Sequence, residues 1–307
     1  MLTTISLILL LTTSLAQDGQ IKKAKVITTT PESIVIVGDS NKSITVDGVK
    51  RSYILHIPPG YSSSTHLPLV LVLHGRGGTA ESIKSKSGMS AKADQKNFIV
   101  VYPNAVGNPS VWNSNLSDLS SNGVDDVGFI RALLDKLEHD LRIDRRRIYC
   151  SGFSSGAIMS YLLGAKLSHR LAAIGIASGT VGNRAPDGSK KIRIIPTPSD
   201  PVPVIAFHGR KDGTIYYDGG GSRVDCLSVA DSIKFWVSAD GCVSSPQKTT
   251  RPNDNLRIDD YGGCKDGSDV ILYTFKNGTH EWPSLQNNDN FSATDSMWEF
   301  FVHHPRR

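Results

Sequence analysis

The sequence lacks long runs of charge of one sign. No five consecutive residues carry like charges, and the formal net charge of the 307 residues is only +5. The densest basic stretches, residues 22–25 and 145–147, each hold three cations. Runs this short are typical of solvated surface rather than of a nucleic-acid-binding face. We therefore expect no nucleic acid partner.

Long hydrophobic runs are also missing after the first residues. The apolar stretch from Ile5 to Leu11 is too short to span a bilayer. It is followed by Ser14 and Ala16, small residues at the positions that a signal peptidase reads. Residues 1–16 are therefore predicted to be a signal peptide that is removed after Ala16. No later segment is apolar enough to anchor the chain, so we expect a secreted, extracellular monomer without a membrane partner.

Cysteine is scarce, with four residues that allow three pairings of two bridges. Cys150 lies in an apolar run and is expected to be a buried free thiol. Cys242 and Cys264 flank a polar, loop-rich stretch, and we favour a bridge between them, whereas the state of Cys226 stays open. N-glycosylation occurs on secreted proteins, so four Asn-X-Ser/Thr motifs are predicted glycosylation sites. Their acceptor residues are Asn41, Asn115, Asn277 and Asn290.

From residue 43 onward, apolar strand patterns alternate with helical ones. A hairpin with a primed turn at Asp47-Gly48 opens this region. Buried strands are predicted at 67–73, 98–102, 147–150, 171–177, 202–207 and 270–275, and helices at 125–141, 228–239 and 294–302. This alternation predicts an α/β fold, a mostly parallel central sheet with helices on both faces and the hairpin as an antiparallel N-terminal edge. Residues 17–42 would be a leader or an extra edge strand, and 43–307 would form the α/β domain.

One turn in this pattern carries chemistry. Residues Gly152-Phe-Ser-Ser-Gly156 match G-x-S-x-G, and they lie between a predicted strand and a helical segment. In α/β hydrolases this motif forms a strained strand-to-helix turn that exposes a nucleophilic serine, here Ser154. A plain Gly/Ser turn is the alternative.

A serine nucleophile needs a base, and the base needs a carboxylate that orients it. Asp212 follows the fifth buried strand and His280 follows the sixth, which is the chain order expected downstream of Ser154. Asp218 is the nearest rival to Asp212 as the acid. His74 and His208 also end strands, but they lie at the wrong place in the chain order for a base, and Glu281 is adjacent to the base.

Acyl transfer also requires donors for the developing oxyanion. The backbone N–H of Ser155, the residue after the nucleophile, is one candidate. The second is expected from the Gly-rich loop that follows the strand 67–73. The Arg76 N–H is the preferred donor, with Gly75 and Gly77 as alternatives. A phosphate-binding loop is disfavoured because neither a Lys-Ser/Thr ending nor a G-x-G-x-x-G opening is present.

Several blocks together resemble the secreted polyhydroxybutyrate depolymerase and feruloyl esterase family. The matching blocks, at 73–82, 125–134, 149–161, 207–212, 261–264 and 280–283, lie between about residue 43 and residue 301. The resemblance implies an α/β-hydrolase fold, Ser154, Asp212 and His280 as a catalytic triad, and a Cys242–Cys264 bridge. The chain departs from the family in having Thr279 where a glycine usually precedes the histidine. It also has Ser155-Gly156-Ala157 where Asn-Gly-Gly is usual.

The sequence therefore predicts a secreted serine esterase that needs no metal or organic cofactor. The expected substrates are feruloyl (hydroxycinnamoyl) esters of plant cell-wall polysaccharide, with a polyhydroxyalkanoate depolymerase or an acetyl xylan esterase as alternatives. Trp112 and Trp282 are candidates to line the substrate pocket, or else they are core or loop-anchoring residues. A serine peptidase of the same fold and a catalytically dead hydrolase-fold binding protein are the rival functions, and the second would predict a broken triad.

Overall fold

A computed structural model describes residues 36–114, 116, 123–185, 189, 191–221, 224–287 and 291–307. The predicted signal peptide, most of the predicted leader and the sequons at Asn115 and Asn290 lie outside the described residues. Within them, no helix has the length and apolar character needed to cross a membrane.

The described strands form one large sheet and one small pair. In chain order the strands are β1 (Gly38–Val46), β2 (Val49–Ile57), β3 (Leu67–Leu73), β4 (Ile99–Pro103), β5 (Ile143–Phe153), β6 (Ala173–Ala177), β7 (Gly182–Arg184), β8 (Ile192–Ile194), β9 (Val204–Gly209), β10 (Lys248–Thr250), β11 (Leu256–Tyr261) and β12 (Val270–Phe275). The large sheet has the order β1-β2-β4-β3-β5-β6-β9-β12-β11-β10, and β7 pairs with β8. The six central strands, β4 to β12 in that order, are all parallel. These six are the strands that the sequence predicts.

Antiparallel strands close both edges of the sheet. At one edge β1 and β2 form the predicted hairpin, in which Val46 faces Val49 across a turn with positive φ at Asp47 and Gly48. Strand β1 begins at Gly38, five residues before the expected start, so the polar segment around Asn41 is an edge strand. At the other edge β10 and β11 pair antiparallel. This second edge was not predicted because its strands are short or polar.

Helices cover both faces of the sheet, as predicted. The described helices are α1 (Ala80–Ser87), α2 (Met89–Lys96), α3 (Asp126–Asp140), α4 (Ser155–Lys166), α5 (Val229–Ala239) and α6 (Ala293–His303). Alternate residues of the fully buried β3 enter different cores: Leu69 and Leu71 pack with α3, α4 and α5, whereas Val70 and Val72 pack with α1, α2 and α6. Burial on both sides explains why β3 is a continuous apolar run.

The disulfide and the buried Cys150 thiol are as expected from the sequence, and the structure adds the state of Cys226, which the sequence left open. Cys242 and Cys264 form a disulfide, which ties the residues after α5 to the segment between β11 and β12. Cys150 and Cys226 are buried free thiols. Burial raises the pKa of the Cys150 thiol to about 12 and that of Cys226 to about 11, so both stay protonated at neutral pH.

Candidate active site

The turn at Ser154 has the strained geometry that the motif predicts. It joins β5 directly to α4, and Ser154 has φ 56° and ψ −120°, a conformation that non-glycine residues adopt only where the surroundings enforce it. The Ser154 N–H donates to the Ala177 carbonyl at 3.0 Å. A Cβ at Gly152 would lie 2.2 Å from the Gly156 oxygen, and one at Gly156 would lie 2.4 Å from the Leu73 oxygen. Both positions therefore need glycine so that the strand and helix can pass.

Asp212 and His280 reach Ser154 from two neighbouring strand ends. The Ser154 hydroxyl donates to His280 Nε2 at 2.8 Å, and His280 Nδ1–H donates to Asp212 Oδ2 at 2.8 Å. Asp212 follows β9 and His280 follows β12, and these strands are paired in parallel. The structure thus brings together the three side chains that were predicted from chain order, in hydrogen-bond contact from end to end.

Asp212 is held by more than His280. Its Oδ1 accepts the backbone N–H groups of Thr214 at 2.8 Å and Ile215 at 2.9 Å. His208 Nε2–H donates to the Ile215 carbonyl at 2.8 Å and lies 3.4 Å from Asp212 Oδ2. Burial alone would raise the pKa of Asp212, but the contacts from His208 and His280 outweigh it and hold that pKa well below its ordinary value. Asp212 is therefore a carboxylate throughout the neutral range.

The rival residues have other contacts. Asp218 is exposed, and its carboxylate lies 3.4 Å from the guanidinium of Arg210. His74 accepts the Ala105 N–H through Nε2 at 3.0 Å and donates through Nδ1 to the Gly75 carbonyl at 2.7 Å. Burial lowers the pKa of His74. His74 therefore ties together the loops beside the site as a neutral side chain.

The Gly-rich loop after β3 leaves few free donors. The Gly77 N–H donates to the Ser110 carbonyl at 2.7 Å, and the Gly78 N–H donates to the Gly75 carbonyl at 2.9 Å. The Gly77 N–H is therefore already bonded to the loop that follows β4 and is not free to serve as an oxyanion donor. Arg76 and Ser155 both line the cavity that opens at Ser154, and their backbone N–H groups remain the predicted oxyanion donors.

A cavity of about 510 Å³ opens beside Ser154 and His280. Its walls are largely apolar, and the residues that form them are Val111, Leu116, Phe153, Ile158, Ile215, Tyr216 and Val224. They come from four separate segments of the chain, around residues 111–116, 153–158, 215–216 and 224, so sequence reasoning missed them as a set. Asn183 also lines the cavity and is buried, with an Oδ1 that has no hydrogen-bond partner among the described residues.

The prediction that Trp112 and Trp282 line this pocket is wrong. Both side chains are only 1% exposed, and neither is among the lining residues. The Trp112 indole N–H donates to the His74 carbonyl at 2.8 Å, and that of Trp282 donates to Thr294 Oγ1 at 3.0 Å. Each ring is thus a buried loop anchor whose polar N–H is satisfied inside the protein.

Two of the four predicted glycosylation sites can be located. Asn41 is exposed on the edge strand β1, and Asn277 is exposed in the turn between β12 and His280. The Asn277 backbone N–H donates to Asn255 Oδ1 at 2.8 Å. Exposure is what a glycan acceptor requires, and occupancy of these sites stays a prediction.

Comparison with known proteins identifies a family for this chain. Residues 51–229 match the family model described as "Esterase PHB depolymerase". A protein of Aspergillus terreus named "Probable feruloyl esterase C" is 30% identical over 312 residues, covering 98% of this chain and 97% of the relative. "Feruloyl esterase C" of Emericella nidulans is 30% identical over 260 residues, covering 82% of this chain and 84% of the relative.

The fold is also that of solved esterases. The structure titled "Acetyl xylan esterase from Aspergillus awamori" superposes with a TM-score of 0.62 at 18% identity, covering 86% of this chain and 99% of that one. At this identity the likeness concerns the fold alone, which is that of an α/β hydrolase. Because the family model matches residues 51–229 and a relative aligns over nearly the whole length of both chains, the chain belongs to the Esterase PHB depolymerase family and is a serine carboxylic ester hydrolase.

Proposed function

We propose that this protein is a secreted esterase that releases hydroxycinnamoyl groups, such as ferulate, from plant cell-wall polysaccharide, with Ser154 as its nucleophile. The observation that carries the proposal is the continuous hydrogen-bonded chain from Ser154 through His280 to Asp212, which opens on an apolar cavity. A nucleophile, a base and an orienting carboxylate are the groups that acyl transfer requires.

The proposed reaction proceeds in two halves. Ser154 Oγ attacks the ester carbonyl while His280 Nε2 takes the hydroxyl proton, and the Asp212 carboxylate stabilises the imidazolium through Nδ1–H. The Ser155 and Arg76 N–H groups would hold the oxyanion, and such preorganised donors are worth several kcal/mol. The tetrahedral intermediate collapses as His280 donates the proton to the departing alcohol. Water then attacks the acyl-enzyme with His280 again as the base, which restores Ser154 and frees the acid.

The size and the apolar lining of the cavity favour an aromatic acyl group over a small one. Ligand-binding cavities are commonly about 300–1,000 Å³ and mostly apolar, with few polar groups. This cavity, at about 510 Å³, falls in that range, and an acetyl group would leave most of it unfilled. Tyr216 and Phe153 supply flat surfaces against which a phenolic ring can pack. The feruloyl esterases among the relatives support the same acyl group.

A polyhydroxybutyrate substrate is the second candidate, because the matching family is described as a polyhydroxybutyrate depolymerase.

Secretion is part of the proposal for two reasons. The first sixteen residues have the pattern of a signal peptide, and the Cys242–Cys264 disulfide fits an oxidising compartment.

The test compares hydrolysis of methyl ferulate, p-nitrophenyl acetate and 3-hydroxybutyrate oligomers. We expect the highest kcat/KM on methyl ferulate and none of these activities in Ser154→Ala. The cavity is probed with Ile158→Trp, which fills space beside the nucleophile and should lower the ratio of ferulate to acetate turnover at least tenfold, an effect of about 1.4 kcal/mol. Negligible turnover of methyl ferulate with rapid cleavage of the oligomers would overturn the proposed acyl specificity.

A further inference from the structure

A second and larger depression lies away from the catalytic cavity. Its volume is about 840 Å³, and it is bounded by α5, by strands β11 and β12 and by the 251–257 segment. It shares no lining residue with the cavity beside Ser154. We call it the α5 groove. Neither the proposed reaction nor the family relationship assigns it a role.

The floor of the α5 groove is apolar and partly aromatic. Ile233 and Val237 of α5 and Leu272 of β12 are buried beneath it, while Tyr217 and Tyr261 are half-buried and line it. The Tyr217 hydroxyl is hydrogen-bonded to Thr274 Oγ1 at 3.0 Å, which fixes the ring. Half-buried, fixed aromatic rings are surfaces on which a ligand with apolar and polar faces can pack at low entropic cost.

The rim of the groove is strongly cationic. Five basic side chains line it together with only two carboxylates, Asp254 and Asp259, and the five are Arg210, Lys234, Arg251, Arg257 and Lys276. Asp259 is already neutralised, because Arg257 Nε lies 2.7 Å from its Oδ2 and Thr249 donates to its Oδ1 at 2.6 Å.

Three of the five cations are unpaired. Lys234, Arg251 and Lys276 are exposed, and in the described part of the chain none of them makes an ion pair. Of the other two, Arg257 is paired with Asp259. Arg210 lies 3.4 Å from the exposed Asp218 carboxylate and packs over the Tyr217 ring with its guanidinium carbon 4.5 Å from the ring centroid. An unpaired cluster of this kind attracts anions and raises their local concentration.

The groove is connected to the catalytic site through the sheet. Arg210 follows β9 and Lys276 follows β12, and the same two strands lead on to Asp212 and His280. The loops that carry the acid and the base therefore separate the groove from the catalytic cavity. At this point Tyr216 lines the catalytic cavity and its chain neighbour Tyr217 lines the groove, so the two sites adjoin at this segment.

We propose that the α5 groove is a binding subsite for an acidic polysaccharide, one that carries uronate carboxylates. The cations would pair with the carboxylates, Tyr217 and Tyr261 would pack against sugar faces, and the Asn253 and Asn255 side chains on the lip would bind hydroxyls. A uronate chain fits better than a nucleic acid because the formal net charge is only +5 and no five consecutive residues carry positive charge, so few cations are available to neutralise the phosphates of a nucleic acid. This inference rests on the proposed function, since it names the polymer to which the ester is attached.

The test measures binding to a polymer without esters, so it does not depend on catalysis. Ser154→Ala protein is titrated with de-esterified polygalacturonate, with neutral arabinoxylan and with single-stranded DNA at low and high salt. We expect binding to polygalacturonate that weakens as salt screens exposed charges, with little binding to the other two. Adding Lys234→Glu, Arg251→Glu and Lys276→Glu should weaken it by about tenfold or more, since three exposed ion pairs with the polymer are replaced by three like-charge contacts.

A matched variant controls for net charge. Lys42→Glu, Lys50→Glu and Arg131→Glu make the same change in charge at exposed sites in β1, β2 and α3, near the opposite edge of the sheet. This variant should bind polygalacturonate nearly as well as the parent protein. An equal loss in both variants, tighter binding of arabinoxylan or tighter binding of DNA would each overturn the inference. Methyl ferulate hydrolysis by protein with an intact Ser154 is measured separately, and its absence would count against the proposed esterase specificity and not against the groove.

Discussion

His208 is expected to position Asp212, the carboxylate of the proposed triad, without touching the substrate. Its Nε2–H donates to the Ile215 carbonyl at 2.8 Å and lies 3.4 Å from Asp212 Oδ2, while the Ile215 N–H donates to the other oxygen of the same carboxylate. His208 thus contacts the Asp212 carboxylate directly and also binds the Ile215 backbone, whose N–H donates to that carboxylate. Replacing it with leucine removes both contacts and keeps a buried side chain.

The magnitude follows from those two contacts. A neutral hydrogen bond contributes about 1 kcal/mol, and the longer contact to a charged oxygen is assigned about the same. If the full 2 kcal/mol or so is lost in the transition state, kcat falls about thirtyfold. The KM for methyl ferulate should stay nearly constant, because His208 is not among the residues that line the cavity.

Rescue separates positioning from packing. Glutamine places an N–H near the site of His208 Nε2, so His208→Gln should recover most of the kcat that His208→Leu loses. His56→Gln is the matched control, because His56 is another buried histidine, held between Asp39 and Asp94 far from the triad in the strand order. It should change stability and leave kcat intact. Full activity in His208→Leu, or equal losses in the leucine and glutamine variants, would refute this reasoning.

Three further predictions concern stability and the loops. Burial raises the pKa of Asp240 to about 6, so below pH 6 the folded protein binds a proton that the unfolded chain binds only near pH 4. The ionised carboxylate therefore destabilises the folded state at neutral pH. Asp240→Asn should raise the free energy of unfolding, measured in urea, by up to about 3 kcal/mol at pH 7 and by little at pH 4. Arg51 and Asp126 form a buried ion pair at 2.6 Å, so Asp126→Asn should lower the free energy of unfolding by about 3 kcal/mol. Asp135 pairs with Arg170 at an exposed site, so Asp135→Asn should lower it by under about 1 kcal/mol. Similar losses in the two variants would contradict this prediction. A Cβ at Gly209 would lie 2.2 Å from the Gly278 carbonyl carbon, so Gly209→Ala should displace the histidine loop and lower kcat about a hundredfold, and unchanged kinetics would be inconsistent with this contact.

The central sheet was predictable because its strands are buried on both faces. Continuous apolar runs such as 67–73 and 270–275 have few alternatives to a buried strand, and the observed β3 and β12 begin and end at those residues. The helices α1 and α2 were missed because they bury few side chains, among them Ile83 and Met89. Each helix is ended by a residue in the left-handed conformation, Gly88 and Asn97, a signal that the sequence contains but that is weak by itself.

The side chains of the proposed triad were predictable for a different reason. Chain order and strand ends constrain where a triad can form, so Asp212 and His280 could be chosen without coordinates. The walls of the cavity follow from no such rule, because Val111, Ile158 and Tyr216 are far apart in sequence. The tryptophans were misplaced because a large aromatic side chain serves equally well in a core or in a pocket, and only the partner of its N–H distinguishes the two.

The most direct test of the catalytic assignment is covalent labelling with a fluorophosphonate, followed by mass spectrometry of the peptides. Ser154 has a base 2.8 Å from its hydroxyl, so we expect one adduct, on Ser154, in the wild-type protein. His280→Ala should slow its formation at least about a hundredfold, because the hydroxyl loses the group that takes its proton. Absence of an adduct in the wild type, an adduct on another serine, or equal labelling rates with and without His280 would contradict the account.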